Sequence, residues 1–359
     1  MDRIKDTVCL SEDGTAVDII DQTLLPQEVR RAALRTPEEV WDAIRRLRVR
    51  GAPAIGVSAA YGLYLAARAF ETDDPEVFRN RLHEAAEYLN SARPTAVNLS
   101  WALQRMEKTA ADLPDADCSE LLAALRREAD AIYEEDKRVC RRIGEYGLTL
   151  LSPGMGLLTH CNAGRLAAVQ YGTATAPIYA GHEAGYDFHV FCDETRPLLQ
   201  GIRLTAFELQ EAGIDTVVIC DNMAQSVMRK GLVQAVLVGC DRVAANGDVA
   251  NKIGTAQVAL AAKYYDIPFY VCCPSSTIDL KAPTGDAIPI EERSGEEITE
   301  MWYREPMGPP GIRTFNPSFD VTDAKNVTAI VTEYGIARPP YTASLQEIMK
   351  RKEAADDLS

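Results

Sequence analysis

Reactive side chains follow four apolar, strand-like segments in the second half of the chain. Each segment ends in a pair of polar or nucleophilic residues: His160 with Cys161, Asp193 with Glu194, Asp221 with Asn222, and Asp241 with Arg242. Because open parallel sheets bind ligands beyond the carboxyl ends of their strands, we expect these side chains to meet in one crevice. For Asp221 alone, a helix N-cap is the simpler interpretation. A cysteine and an aspartate at successive strand ends indicate an enzyme.

The stretch GLLTHCNAGRLA at residues 156–167 places Cys161 at the end of an apolar run, with a helix predicted directly behind it. A buried structural thiol and a chemically active thiol both fit this position. A Cys–His hydrolase is poorly supported, because neighbouring residues of a strand point to opposite faces and His160 would turn away from Cys161. His182 and His189 have no spacing that links them to the thiol.

Several groups suit a bound phosphate. After a turn signal at residues 246–248, a helix is predicted to begin near Ala250, with Asn251 and Lys252 in its first turn. The helix dipole disfavours a lysine there, but a lysine beside free N–H groups suits an anion. Gln200 is predicted in the first turn of a helix that Pro197 opens.

Two arginines in the first half are further candidates. Arg50 directly precedes the glycine-rich stretch GAPAIGVSAAYG, and Arg93 precedes a turn in SARPTAVNLSWA. Glycines in the first stretch allow the backbone to approach either a ligand or another helix closely. The composition of the stretch does not decide between an anion site and a helix-packing seam.

The elements that position these residues change character along the chain. Residues 1–145 read mostly as helices, one of which begins at Thr36 and Pro37. From residue 146, short apolar strands alternate with helical segments, which predicts a parallel sheet with helices on both faces. We therefore predict an α/β protein with a helical N-terminal domain, 1–145, and a Rossmann-like C-terminal domain, 146–359. No GxGxxG follows the first strand, so a dinucleotide site is not supported.

Composition excludes several classes of function. A net charge of −15 argues against a broad nucleic-acid surface. The sequence contains no apolar run long enough for a membrane helix, and its charged N-terminus does not resemble a signal peptide, so we expect a cytoplasmic protein. Nine cysteines without a CxxC pair indicate neither a disulfide framework nor a zinc site.

Several long motifs together resemble the methylthioribose-1-phosphate isomerase family. They span residues 50–335 and include RGAPAIGVSAAYG, RPTAVNLSWAL, LLTHCNAGRLA, DETRPLLQGIRLTAFEL, VGCDRVAANGDVANKIGT and NPSFDVTDAKNVTAIVTEYG. The resemblance implies the two domains predicted above, a homodimer, and no cofactor or metal. It also implies the isomerisation of 5-methylthioribose 1-phosphate to 5-methylthioribulose 1-phosphate in methionine salvage.

The resemblance assigns roles to residues as well. It places the catalytic cysteine on Cys161 and the catalytic aspartate on Asp241. The phosphosugar-binding groups fall on Arg50, Gly51, Ala52, Arg93, Gln200, Asn251 and Lys252. We expect Asp241 to act as general acid and base, and Cys161 to shuttle a proton or stabilise the transition state. Acid work near neutral pH needs the pKa of Asp241 to be raised by burial or by a low dielectric. An inward-pointing Arg242 would oppose that rise, so Arg242 is predicted to point away.

Related activities are the alternatives. An isomerase of 5-deoxyribose 1-phosphate would need the same groups, whereas one for ribose 1,5-bisphosphate would need a second basic cluster, which the sequence does not obviously contain. The non-enzymatic regulatory subunits of the translation-initiation guanine-nucleotide exchange factor share this fold and act by binding partners. The motifs around Cys161 and Asp241, together with RGAPA, favour the enzyme.

Overall fold

The computed structural model describes residues 6–94 and 96–356. The chain forms two compact units. The first comprises Met1–Arg138 and Arg165–Gly172, and the second comprises Val139–Gly164 and Thr173–Ser359. In the described residues, no helix has both the length and the apolar composition that crossing a membrane requires.

The first unit consists mainly of helices. Its elements are β1 (Val8–Leu10), β2 (Val17–Ile20), β3 (Arg31–Leu34), α1 (Pro37–Arg45), α2 (Ala52–Arg68), α3 (Pro75–Asn90), α4 (Val97–Ala111) and most of α5 (Cys118–Leu148). The three strands form an antiparallel sheet in the order β1-β2-β3. This sheet is not predicted from the sequence, because its strands of three or four residues are too short to show alternation.

Helix α1 begins where the sequence predicts it. Pro37 is its first residue, and the Thr36 hydroxyl accepts a hydrogen bond from the Glu39 N–H at 3.3 Å. This side chain satisfies one of the amide groups that a helix N-terminus leaves without a partner. The predicted start of α1 is confirmed.

Helix α2 lies in the core of the first unit and is buried along almost its whole length. A Cβ on Gly56 would lie 3.0 Å from the Asn98 carbonyl oxygen of α4, and one on Gly62 would lie 2.9 Å from Val40 of α1. These two glycines therefore let neighbouring helices pack closely. For this part of the glycine-rich stretch, the helix-packing interpretation is correct.

The second unit contains two sheets and shorter helices. Its strands are β4 (Gly156–Thr159), β5 (His189–Asp193), β6 (Asp215–Ile219), β7 (Ala235–Val238), β8 (Arg242–Ala244), β9 (Val249–Lys252), β10 (Phe269–Cys272), β11 (Ile278–Asp279), β12 (Phe319–Thr322), β13 (Ala329–Thr332) and β14 (Gly335–Ala337). Its helices are α6 (Ala176–Glu183), α7 (Ala206–Glu211), α8 (Ala224–Arg229), α9 (Thr255–Tyr264), α10 (Glu296–Thr299) and α11 (Tyr341–Asp356).

The larger sheet has seven strands in the order β14-β13-β10-β7-β4-β5-β6. All neighbours pair in parallel except β14, which is antiparallel to β13. The order reverses between β4 and β7, which is where ligands bind in open α/β sheets. The predicted fold class, a helical N-terminal region followed by a Rossmann-like parallel sheet, is confirmed.

The smaller sheet corrects one prediction. Asn251 and Lys252 lie in β9 and not in the first turn of a helix, because β9 pairs with β8 on one side and β12 on the other. Helix α9 begins three residues later, at Thr255, after Gly254 takes a φ of +102°. The predicted turn at residues 246–248 does form, but it closes a β-hairpin.

Candidate active site

Cys161 and Asp241 follow neighbouring strands at the switch point of the large sheet. Strand β4, which leads to Cys161, pairs with β7, which leads to Asp241, with Thr159 opposite Leu237. The backbone segments that follow the two strands pack closely: a Cβ on Gly239 would lie 2.4 Å from the Cβ of Ala163. The topology thus brings both residues to the same edge of the sheet.

The backbone of Cys161 is held in an unusual conformation. Its φ is +69°, a region that costs a residue other than glycine about 1–3 kcal/mol. Two threonines hold it there: Cys161 N donates to Thr195 Oγ1 at 2.9 Å, and Thr205 Oγ1 donates to Cys161 O at 2.6 Å. The thiol is half-buried, and Gln200 Nε2 donates to its sulfur at 3.3 Å.

The helix predicted directly behind Cys161 is absent. Residues Arg165–Ala167 form a single 3₁₀ turn, and the next α-helix, α6, begins at Ala176. The small residues after Cys161 instead serve close packing. A Cβ on Gly164 would lie 1.9 Å from a carboxylate oxygen of the buried Glu208.

The segment that follows β5 carries the partners of Cys161. Gln200 precedes a π-helical turn, Gly201–Thr205, which continues into α7. The helical segment begins at Gln200, so Gln200 does lie in the first turn, but the predicted start at Pro197 is wrong. Thr195 and Leu199 also have positive φ values, +64° and +57°. Such strain and π-turns are enriched at functional sites.

Asp221 holds this segment and does not cap its own helix. Its two carboxylate oxygens accept hydrogen bonds from the backbone N–H groups of Thr195 and Arg196, each at 2.7 Å. The N-cap interpretation of Asp221 is therefore wrong. The end of β6 supports the loop after β5, and that loop supports Cys161 at the end of β4.

His160 and Asp193 form a buried pair beside Cys161. His160 Nδ1 lies 2.9 Å from Asp193 Oδ2, and His160 Nε2 lies 2.8 Å from the Ile253 carbonyl oxygen. Burial lowers the pKa of His160, but the hydrogen bond and charge of Asp193 outweigh it, so this pKa lies above its ordinary value. Burial raises the pKa of Asp193, and the bond to His160 offsets this only in part.

The same residues resemble a metal-binding cluster at first sight, since ligand atoms of His160, Asp193 and Asp221 lie within 4.8 Å of one another. Most of these ligand atoms already have hydrogen-bond partners within the protein. Both ring nitrogens of His160 and both oxygens of Asp221 have partners. Of the ligand atoms in this cluster, Asp193 Oδ1 is the one for which the described part of the chain provides no hydrogen-bond partner. One oxygen does not make a metal site.

The backbone of Asp241 is tied to the β8–β9 hairpin. Its N–H donates to the Ala250 carbonyl at 2.9 Å, at the open end of the β8–β9 hairpin, and its side chain is exposed. The Arg242 guanidinium pairs with Asp279 at 3.3 Å. Burial, one of the two expected ways to raise the pKa of Asp241, is thus absent from this position.

Asn251 and Lys252 occupy adjacent positions of β9, so their side chains point to opposite faces. Asn251 is buried, and its Nδ2 donates to Thr255 Oγ1 at 3.0 Å. The Thr255 hydroxyl donates in turn to the Lys252 carbonyl at 2.6 Å. Lys252 Nζ lies 4.5 Å from the ring centroid of Phe319. Asn251 therefore helps to fix the backbone, whereas Lys252 provides a partly exposed cation.

The remaining predicted residues belong to the first unit. Gly51 is the N-cap of α2 with a φ of +88°, and a Cβ there would lie 2.3 Å from the Ala167 Cα. Arg50 precedes it, and Ala52 is the exposed first residue of the helix. A helix N-terminus beside an arginine suits an anion. Arg93, half-buried, lies between α3 and α4.

The polar residues behind Cys161 are not apparent from the sequence. Thr195 and Thr205 lie in a motif that carries the family resemblance, DETRPLLQGIRLTAFEL. No rule of residue spacing, however, identifies a hydroxyl group that forms a hydrogen bond with backbone far away in the sequence. His160 and Asp193 were both noted as strand-end residues, but their pairing depends on three-dimensional packing.

The sequence profile of the initiation factor 2 subunit family matches residues 48–339 of the chain. The match covers most of both units. This chain belongs to that family.

Two curated relatives of this chain are named as phosphosugar isomerases. A methylthioribose-1-phosphate isomerase of Symbiobacterium thermophilum is 62% identical, over 97% of this chain and 97% of that protein. A 5-deoxyribose 1-phosphate isomerase of Bacillus thuringiensis serovar kurstaki is 54% identical, over 93% of this chain and 96% of that protein. The resemblance that the motifs indicated is confirmed.

Two solved structures share the fold. The 5-methylthioribose 1-phosphate isomerase of Pyrococcus horikoshii OT3 matches with a TM-score of 0.91 and 40% identity, over 96% of both chains. The structure described as the delta subunit of translation initiation factor eIF-2B from A. fulgidus matches with a TM-score of 0.88 and 42% identity, over 96% of this chain and 99% of that one. Similarity of fold therefore does not separate an enzyme from a binding subunit.

Proposed function

We propose that this chain is an aldose–ketose isomerase that converts 5-methylthioribose 1-phosphate to 5-methylthioribulose 1-phosphate, a step of methionine salvage. One observation carries the proposal: the half-buried thiol of Cys161 and the carboxyl of Asp241 follow neighbouring strands at the switch point of the sheet. The isomerase relative that is 62% identical supports the same reaction.

The chemistry of the substrate explains why a carboxyl is needed. Phosphate on the anomeric oxygen prevents the ring from opening through a free hemiacetal. A proton must therefore reach the ring oxygen as the ring opens, and hydrogen must move from C2 to C1. Asp241 is the proposed acid and base for these transfers. Because its side chain is exposed, the bound sugar itself has to displace the water around it.

Cys161 has a built environment that suits transition-state stabilisation. Thr195 and Thr205 fix its backbone, and the amide of Gln200 faces its sulfur at 3.3 Å. A donor at that distance stabilises negative charge that develops on the sulfur during proton transfer. Cys161 is therefore proposed to assist the movement of hydrogen between C2 and C1.

Phosphosugar binding is proposed for groups in both units. In the first unit these are Arg93 and the α2 N-terminus with Arg50, Gly51 and Ala52. In the second unit they are Gln200, Asn251 and Lys252. Arginine, lysine and the N–H groups of a helix N-terminus are the usual protein partners of a phosphate. No cofactor is part of the proposed reaction.

5-Deoxyribose 1-phosphate is the second candidate substrate, supported by the relative of that name at 54% identity. The two sugars differ only in the substituent on C5, so the proposed acid, thiol and phosphate groups serve both. The rival binding role of a regulatory subunit does not explain why the chain retains a thiol and a carboxyl at adjacent strand ends.

We also propose a cytoplasmic homodimer. Nine free cysteines suit a reducing compartment. Val217 and Val218 are exposed on β6, one of the two edge strands of the large sheet, where apolar side chains favour contact with a second copy. Sedimentation of the purified chain tests this: a dimer is expected, and a monomer at micromolar concentration would contradict it.

The function is tested by measuring kcat/KM for ketose formation from both sugars, with ribose 1,5-bisphosphate as a third substrate. We expect turnover, with at least a tenfold preference for 5-methylthioribose 1-phosphate, about 1.4 kcal/mol of transition-state binding. A tenfold preference for the 5-deoxy sugar would assign the second candidate instead. No ketose from any of the three would contradict an isomerase.

A further inference from the structure

His160 has no role in the proposed chemistry, although it directly precedes Cys161. Its side chain is 1% exposed, and its Nε2 lies 2.8 Å from the Ile253 carbonyl, on the residue that follows Lys252. The ring also packs against Gly254, where a Cβ would lie 2.9 Å from His160 Cε1. The histidine thus connects the end of β4 to the turn that follows β9.

That turn is held from a second side by Asp320 of β12. The carboxylate oxygens of Asp320 accept hydrogen bonds from Gly254 N at 2.7 Å and from Ala256 N at 3.1 Å. Gly254 has a φ of +102°, which a side-chain-bearing residue rarely adopts. Ile253 and Gly254 are therefore clamped between an imidazole ring and a carboxylate.

The direction of the hydrogen bonds follows from the chemistry of the partners. A carbonyl oxygen only accepts, so His160 Nε2 carries a hydrogen and donates it to Ile253. The other nitrogen, Nδ1, meets Asp193 Oδ2 at 2.9 Å. A carboxylate behind a histidine fixes the orientation of its ring, as it does for histidines that hold metals. Asp193 is fully buried and lies at the end of β5.

Because both ring nitrogens are engaged inside the protein, His160 offers no atom to a substrate. It is a positioning residue and not a catalytic one. We propose that the His160–Asp193 pair positions Lys252. His160, at the end of β4 beside Cys161, fixes the Ile253 carbonyl and with it the backbone that follows Lys252 at the end of β9. This inference rests on the proposed function, in which Lys252 binds the phosphosugar.

The test compares His160→Ala, His160→Gln and a matched control, His189→Gln, in the purified full chain. His189 is exposed and pairs with Asp215, so the control makes the same chemical change away from the turn. We expect His160→Ala to raise both KM and the inhibition constant of inorganic phosphate at least tenfold, with kcat within threefold of wild type. His160→Gln retains an N–H donor and is expected to restore most of the affinity.

A double-mutant cycle with Lys252→Met identifies the route of the effect. If His160 acts through Lys252, the tenfold effect of His160→Ala falls below twofold when Lys252 is already methionine. Equal effects in both backgrounds would overturn the inference, as would a loss of kcat at unchanged KM.

Two further results keep the test decisive. Should His160→Ala fail to fold, Asp193→Asn removes the charge behind the ring at nearly unchanged volume. It is expected to raise KM by threefold or more in the wild-type background, and by less than twofold with Lys252→Met. Unchanged KM in Asp193→Asn would overturn the inference. A wild-type chain without turnover would contradict the proposed function itself, whereas active wild type with unaffected variants contradicts only the positioning role.

Discussion

The two loops that carry the proposed catalytic residues are built differently. After β4, side chains from the segment that follows β5 hold Cys161: Thr195 binds its N–H, Thr205 binds its carbonyl and Gln200 contacts its sulfur. After β7, the chain enters the β8–β9 hairpin, and the Asp241 N–H bonds to a backbone carbonyl, that of Ala250.

From this difference we infer which part of the proposed site is ready before substrate binds. The thiol has a fixed, half-buried environment made by the protein, whereas the carboxyl is exposed. We infer that the environment of Cys161 is preorganised and that the environment of Asp241 is completed by the sugar. Variants in the first loop should therefore alter kcat, whereas variants in the hairpin that leave Asp241, Asn251 and Lys252 unchanged should alter stability.

The largest of these effects is expected for Cys161→Ser. Removing the thiol from its preorganised position should lower kcat about a hundredfold or more, the usual range for a proton-transfer group. KM and the thermal midpoint should change little. Steady-state kinetics check this, with Cys220→Ser, which changes an exposed thiol, as the control. Full turnover in Cys161→Ser would remove this residue from the mechanism.

A smaller effect is expected for Thr195→Val, which keeps the shape of the side chain but removes its hydroxyl. Thr195 is buried, so the Cys161 N–H would lose its partner, at a cost of about 1–3 kcal/mol in unfolding free energy. We expect kcat to fall about tenfold as Cys161 becomes less well fixed. Thr216→Val on β6 is the matched control, because its hydroxyl donates to the Ile214 carbonyl and not to the backbone of Cys161. Equal kcat values in the two variants would contradict preorganisation by Thr195.

The smallest effect concerns the hairpin turn. Burial raises the pKa of Asp248, but hydrogen bonds from Gly285 N, Asn246 Nδ2 and Ala324 N outweigh it, so this pKa lies below its ordinary value. A lowered pKa contributes stability that is present above the ordinary carboxyl value, about 4, and is lost as pH falls through the folded-state pKa.

Asp248→Asn should therefore flatten the acid limb of the unfolding free energy below about pH 4, with kcat at neutral pH within twofold of wild type. Denaturant titrations at several pH values check this. Asp286→Asn, at an exposed position near Asp248's partner Gly285, is the control. An unchanged acid limb in Asp248→Asn would show that the turn does not depend on this carboxylate.

The sequence predicted the large sheet well because its strands are buried on both faces and read as continuous apolar runs. The sequence-based prediction failed where pairing with neighbouring strands determines the secondary structure. Asn251 and Lys252 look helical beside the alanine-rich stretch that follows, yet pairing with β8 and β12 makes them a strand. The predicted domain boundary after residue 145 falls within α5 and stays a prediction.

For the site, residue types at strand ends were enough to mark Cys161 and Asp241, since the topology of parallel sheets gathers such ends. Family membership and the isomerase class were predicted from long motifs and are confirmed. The roles of the individual site residues stay predictions. The exposure of Asp241 and the network behind Cys161 depend on distances between strands that are 30 to 100 residues apart, and no local pattern encodes them.

Asp241→Asn tests the central claim most directly, because it removes the group that acts as acid and base. The variant keeps the size of the side chain and the hydrogen bond from the residue 241 N–H to the Ala250 carbonyl. Turnover of 5-methylthioribose 1-phosphate should be measured beside wild type, with circular dichroism and the thermal midpoint as checks of folding. We predict a loss of several orders of magnitude in kcat in a normally folded protein. Turnover close to wild type in that variant would contradict the account.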